Sequence, residues 1–114
     1  MNASSPKGSL TVADVLDRAA DLIEPEGAWT QREDARSKNG RYVEPLSRDA
    51  VSFCMWGAIE RAAGLTSPMV ALNVVGGLVP LGLIAGFNDA PERTQPEVVA
   101  KLREAAAKAR EQGL

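Results

Sequence analysis

Cys54 is the only thiol in the chain, and no histidine accompanies it. A cysteine nucleophile works as its thiolate, drawn out by a helix N-terminus, a nearby cation or a base. The lack of histidine removes Cys-His and Ser-His-Asp catalysis, histidine metal sites and histidine pH switching together. Ser47 suits the N-cap of a helix running through Ile59. That assignment puts Cys54 well inside the helix, beyond the reach of its terminal dipole. Between Phe53 and Met55, Cys54 is expected to be a buried packing residue, with Gly57 on its face permitting close helix approach.

Two polar groups remain. Trp29-Thr30-Gln31 follows Gly27-Ala28 and precedes a charged stretch. An aromatic ring beside an amide can form part of a ligand pocket. It can equally plug the edge of a core while Gln31 satisfies loop backbone groups. Asn88-Asp89 is the second group. Asp89 has the chemistry of a general base or a metal ligand, but one carboxylate makes neither a metal site nor an acid–base pair. Turn formation by the two Asx side chains is the simpler role. Convergence of Trp29, Gln31 and Asp89 with Arg93 would strengthen the case for a site. Trp29, Gln31, Asn88 and Asp89 are therefore the candidate ligand or partner residues. No catalytic residue, cofactor site or metal site is assigned. Gly76-Gly77 and Gly82 lack the lysine and hydroxyl of a phosphate-binding loop, and no CxxC or EF-hand pattern occurs.

The formal net charge of -2 disfavours nucleic acid as the main partner. Arg32, Arg36, Lys38, Arg41 and Arg48 are interleaved with Glu33, Asp34, Glu44 and Asp49. Mixed signs suit a solvated loop, and a nucleic-acid patch would need them segregated onto one face.

These residues must be positioned by a mainly α fold. Its expected form is a compact bundle of about four helices, with a small irregular β-hairpin or loop between the first and second. Residues 1–9 are expected to form a flexible tail and 10–114 a single helical domain. Thr11 caps a first helix with an apolar stripe at Val12, Val15, Leu16, Ala19, Leu22 and Ile23. Asn39-Gly40 suits a tight turn, with Arg41-Tyr42-Val43 as a returning strand. Pro68 to Val75 and Pro80 to Phe87 read as short apolar elements, followed by a turn at Asn88-Asp89-Ala90-Pro91. Thr94-Gln95-Pro96-Glu97 is a capping box opening the last helix. No charge occurs from Ala62 through Asn88. Glycines and prolines interrupt that run too densely for a membrane span, and no basic cluster flanks it.

The chain resembles a bacterial and phage family catalogued as domain of unknown function 6197. The resembling residues are Leu16-Asp17-Arg18-Ala19-Ala20 with Ile23, Trp29-Thr30-Gln31, Cys54 and Gly57-Ala58-Ile59. They continue with Asn88-Asp89-Ala90-Pro91, Arg93-Thr94 and Glu97-Val98. The resemblance implies a compact soluble domain of a bacterium or its mobile elements, and no activity. The expected role is a cytoplasmic, non-enzymatic binding or regulatory domain with a protein partner or a second copy. The alternative is a small ligand-binding protein or enzyme using Trp29, Gln31, Asn88 and Asp89.

Overall fold

The computed structural model describes residues 10–114, and the tail expected over 1–9 lies outside them. The first helix, α1, spans Val12–Ile23. Its start is a reciprocal cap: the Asp14 N–H donates to Thr11 Oγ1 at 3.0 Å, and the Thr11 N–H to Asp14 Oδ2 at 3.2 Å. Ala13, Val15, Leu16, Ala19, Ala20 and Ile23 form its buried face. The last helix, here α5, spans Gln95–Glu111, with the Thr94 N–H donating to Glu97 Oε1 at 2.9 Å. It buries Val98, Leu102, Ala105, Ala106 and Ala109. Alanine on both faces lets the two backbones come close, and this pair is the main packing unit of the domain.

Polar groups seal the same pair. Arg103 donates to Asp17, Asp21 and Glu24, at 3.0, 2.6 and 3.2 Å, and Arg110 reaches Asp17 at 2.7 Å. Burial opposes ionisation of Asp17, but the Arg110 and Arg103 guanidiniums outweigh it and hold its carboxyl below the ordinary value. The α1 C-terminus has no basic residue in its last turn. Gln95 serves it instead, its Nε2 lying 2.5, 3.2 and 2.7 Å from the carbonyl oxygens of Ile23, Glu24 and Pro25.

Between these helices the fold departs from expectation most over Ser47 to Phe53. Ser47 does accept a local bond, from the Asp49 N–H at 3.0 Å, but only a turn follows. The chain then extends as β2, Ser52–Phe53, antiparallel to β1, Ala35–Arg36, with Ala35 opposite Phe53. Both edges of this short segment are bonded. Phe53 exchanges backbone bonds with Ala28 and Thr30, while the Val51 and Cys54 N–H groups donate to Arg36 O and Asp34 O. Those bonds outcompete the first turns of a helix, so α2 begins later, at Met55–Ala63, and Cys54 is its N-cap. The turn at Asn39-Gly40 is present: Gly40 has a φ of +83°, and Ser37 N–H donates to Arg41 O at 2.8 Å. Tyr42 returns to bridge Arg36, so the hairpin has the expected turn but takes its strand partner from the helix-two segment.

The uncharged run folds as α3, Met69–Gly76, a 3-10 turn at Pro80–Gly82 and α4, Ile84–Asp89. Ser67 Oγ accepts the Met69 N–H at 3.2 Å at the start of α3. Ala71, Leu72, Val75, Val79 and Ile84 join the single core. The described residues hold five α-helices, in keeping with the expected bundle of about four, and Asn88 and Asp89 close α4 instead of lying in a separate turn. Among the described residues no helix is long and apolar enough to cross a membrane.

Gly57 is where the loop meets α2. A Cβ at this position would run into the Asp34 carbonyl, so the close approach is of a loop backbone rather than a second helix. Replacing it is expected to break the loop–helix seam. Gly57→Ala should cost about 3 kcal/mol or more by urea melting, a tertiary effect that outweighs alanine's better helix propensity. An unchanged or raised midpoint would contradict that packing.

Candidate functional site

The residues Trp29, Gln31, Asn88 and Asp89 meet. Trp29 to Gln31 enter from the loop after α1, held in line by the bridge of Trp29 to Phe53. Asn88 and Asp89 enter from the last turn of α4. Asn88 is fully buried, and its carboxamide is the meeting point. Its Oδ1 accepts from Trp29 Nε1 at 2.7 Å and from the Met55 N–H at 2.9 Å. Its Nδ2 donates to Thr30 O at 3.1 Å and to Asp89 Oδ1 at 2.9 Å.

The remaining members wrap around this centre. Gln31 Nε2 donates to Asn88 O and Ala90 O, at 3.0 and 3.1 Å. The Asp89 carboxylate also takes the Arg32 N–H at 2.9 Å. That bond holds Arg32 at a φ of +74°, the left-handed region that a non-glycine residue enters at a cost of roughly 1–2 kcal/mol. Arg93 arrives from the other side. Its Nε donates to Phe87 O at 2.7 Å, and its guanidinium lies 3.8 Å from the centre of the Phe87 ring. Arg93 thus braces α4, and among the described residues it makes no bond to Trp29, Gln31 or Asp89.

Cys54 lies beside this cluster. As the N-cap of α2 its Sγ accepts the Gly57 N–H at 3.3 Å, which corrects the expectation that it sits deep inside the helix. The expected burial is observed. Burial pushes its thiol up to about 11; the Gly57 N–H pulls the other way and the Asp34 carboxylate adds to the rise. The group is therefore a protonated thiol at neutral pH and a poor nucleophile. It lines a shallow cleft of about 240 Å³ with Asp34, Trp56, Ala85 and Asp89. Among the described residues no cluster of three potential metal ligands occurs.

The geometry makes this a hydrogen-bonded lock between the 29–32 loop, the start of α2 and the end of α4. Sequence reasoning selected its four principal residues but missed the Met55 N–H and the Thr30 carbonyl. Backbone groups leave no signal in residue type.

Fold and site together define a small mainly α domain whose elements are tied by one buried asparagine. A model of the family of unknown function DUF6197 matches residues 8–108, and the chain belongs to that family. No curated protein and no solved structure matches the chain.

Two outcomes follow from the lock. Asn88→Asp keeps the shape but removes both donors and places a carboxylate against Thr30 O and Asp89. It should lose about 3 kcal/mol or more at neutral pH and recover part of it on acidification, as protonation restores a donor. Denaturant melts followed by Trp fluorescence at pH 5 and 7 check this, and equal losses at both would contradict it. For Cys54, the folded value lies above the unfolded one of 9.0, so its contribution is intact below pH 9 and is lost as pH rises toward 11. At about 1.4 kcal/mol per unit the loss is roughly 3 kcal/mol. Wild type should therefore lose more stability than Cys54→Ser between pH 8.5 and pH 11, measured by urea midpoints, at about those two limits. Parallel curves would contradict the burial of the thiol.

Proposed function

We propose that this protein is a non-enzymatic binding or regulatory domain that works by protein–protein contact through the uncharged face of α3, the 3-10 turn and α4. The observation that carries it is Leu81. Its side chain is 90% exposed, and its backbone is held at a φ of +56°. A leucine gains nothing locally from that conformation, which favours glycine, asparagine or aspartate. Leu65, Met69, Val70 and Leu83 are exposed in the same uncharged stretch. Apolar surface concentrated on a segment without charge is the composition of a contact surface.

The polar cluster supports the same reading from the other side. The carboxamide of Asn88 and the indole N–H of Trp29 are engaged by the protein itself, and the nearest thiol holds its proton. A ligand taken by the Trp29 indole or the Asn88 carboxamide would have to break bonds that join the 29–32 loop and α2 to α4. The proposed setting is the cytoplasm of a bacterium or of a cell carrying its mobile elements, where the lone Cys54 stays reduced. The proposed partner is another protein or a second copy of this chain.

The test compares wild type with Leu81→Asp. Aspartate tolerates positive φ, so the fold and thermal midpoint should be retained. Wild type is expected to self-associate by light scattering, or to retain a specific protein when immobilised. Leu81→Asp should weaken either contact at least about tenfold, as befits an interface anchor. A wild type that stays monomeric and retains nothing, or a contact indifferent to the substitution, would overturn the proposal.

A further inference from the structure

Apart from Asn73, α3 is apolar around its whole girth. Ala71, Leu72 and Val75 turn into the core. The opposite side presents Met69, Val70, Asn73 and Gly77 to solvent, with Val74 half-buried beside them. A helix without a polar face is normally covered on both sides. Asn73 stands near the middle of the exposed side. Its backbone carbonyl takes the Gly77 N–H at 3.1 Å, while among the described residues its carboxamide makes no hydrogen bond.

The surroundings of this side are nearly free of charge. A groove of about 310 Å³ runs between α3 and the end of α5. Lys108 is the one charged residue that lines it, half-exposed and 4.0 Å from Glu111. The Gly76 end of α3 meets the 3-10 turn that carries Leu81. Gly76 and Gly77 leave that end bare. Neither adopts positive φ, and a Cβ at either position would touch nothing closer than 3.5 Å. Nothing within the described chain therefore requires glycine there, and the open backbone is space for an outside side chain.

We infer that this side of α3 is the interface of a two-fold dimer, in which α3 lies antiparallel to the α3 of a second copy with Asn73 beside the axis. The inference rests on the contact-surface reading above and names its partner. An antiparallel pair centred on Asn73 sets Met69 and Val70 opposite the other copy's Gly77 and Gly76. The longer side chains thus meet the bare backbone. The same register carries Leu81 to the Met69 end of the other helix. A carboxamide is donor and acceptor at once, so Asn73 can pair with its own copy across the axis. One amide amid apolar neighbours fixes register and partner number, as a buried asparagine does in a coiled coil. A two-fold interface sets each group near its own copy, and an uncharged face meets itself without like-charge repulsion. A partner chosen by charge would need an opposite charge here, and α3 offers none. Lys108 stays at the wet rim.

Sedimentation equilibrium on the full chain, over a micromolar to millimolar series, tests it. Wild type should reach a dimer and go no further, since a two-fold contact closes on itself. Asn73→Asp and Asn73→Lys, each alone, should weaken the dimer at least about tenfold, because like charges then face each other. An equimolar mixture of the two variants should recover association, since position 73 then meets the opposite charge. Asn73→Cys should form a disulfide-linked dimer in air-saturated buffer. Arg18→Cys, exposed on α1 and outside this face, should not. Position 73 is exposed in the single chain, so unchanged melting midpoints at dilution will show that its variants remain folded. A wild type that stays monomeric through the series, a mixture no tighter than the separate variants, or no disulfide preference for position 73 would overturn the dimer. Leu81-dependent capture of another protein by a monomeric chain would leave the contact surface standing and overturn only the second copy.

Discussion

The buried carboxamide of Asn88 has two acceptor and two donor directions; three are taken by groups from distant parts of the chain and one by the next residue. One bond goes to an indole, one to the first N–H of α2, one to a loop carbonyl and one to the neighbouring carboxylate. No apolar residue could join these elements, because each partner would be left buried without a bond. The core supplies the bulk of the hydrophobic stabilisation, but it is not directional. The asparagine sets where the 29–32 loop and α4 sit relative to α2.

Other features of the middle region follow from that arrangement. With Thr30 held at Asn88, the loop backbone lies where Phe53 can bond to it, and Phe53 becomes extended. With Phe53 extended, the helix begins at Met55, and Cys54 becomes a cap. The Cys54 N–H then meets the Asp34 carbonyl, and Gly57 supplies the space that this contact requires. Arg36, clamped between Thr30, Gln31 and the Gly40 turn, carries the same order out to the surface. A change at Asn88 is therefore felt at the cap, the short strands and the turn together.

Part of the surface is uncharged and carries Leu81 at positive φ. The polar cluster at the end of α4 is made of groups that bind one another. The thiol of Cys54, held protonated by burial, lines a cleft with Asp89 of that cluster.

The outer helices were legible in the sequence because their determinants are local. Thr11 with Asp14 and Thr94 with Glu97 are caps written within a single turn, and the apolar stripes of α1 and α5 repeat at helical spacing. The glycine turn at Asn39-Gly40 is local too. The membership in DUF6197 was readable from Trp29-Thr30-Gln31 and Asn88-Asp89-Ala90-Pro91. The importance of Trp29, Gln31, Asn88 and Asp89 could be suspected from their types, but not that they meet, since they lie far apart along the chain. Tertiary structure alone decided the fate of Ser47 to Phe53. Its residues suit a helix, yet backbone bonds on both sides make it a turn and a strand, and those partners have no signature in composition. The same holds for Cys54, whose type says only that it is small and apolar. Whether it caps, packs or reacts depends on which neighbours the fold brings to its sulfur, and these were the Gly57 N–H and the Asp34 carboxylate.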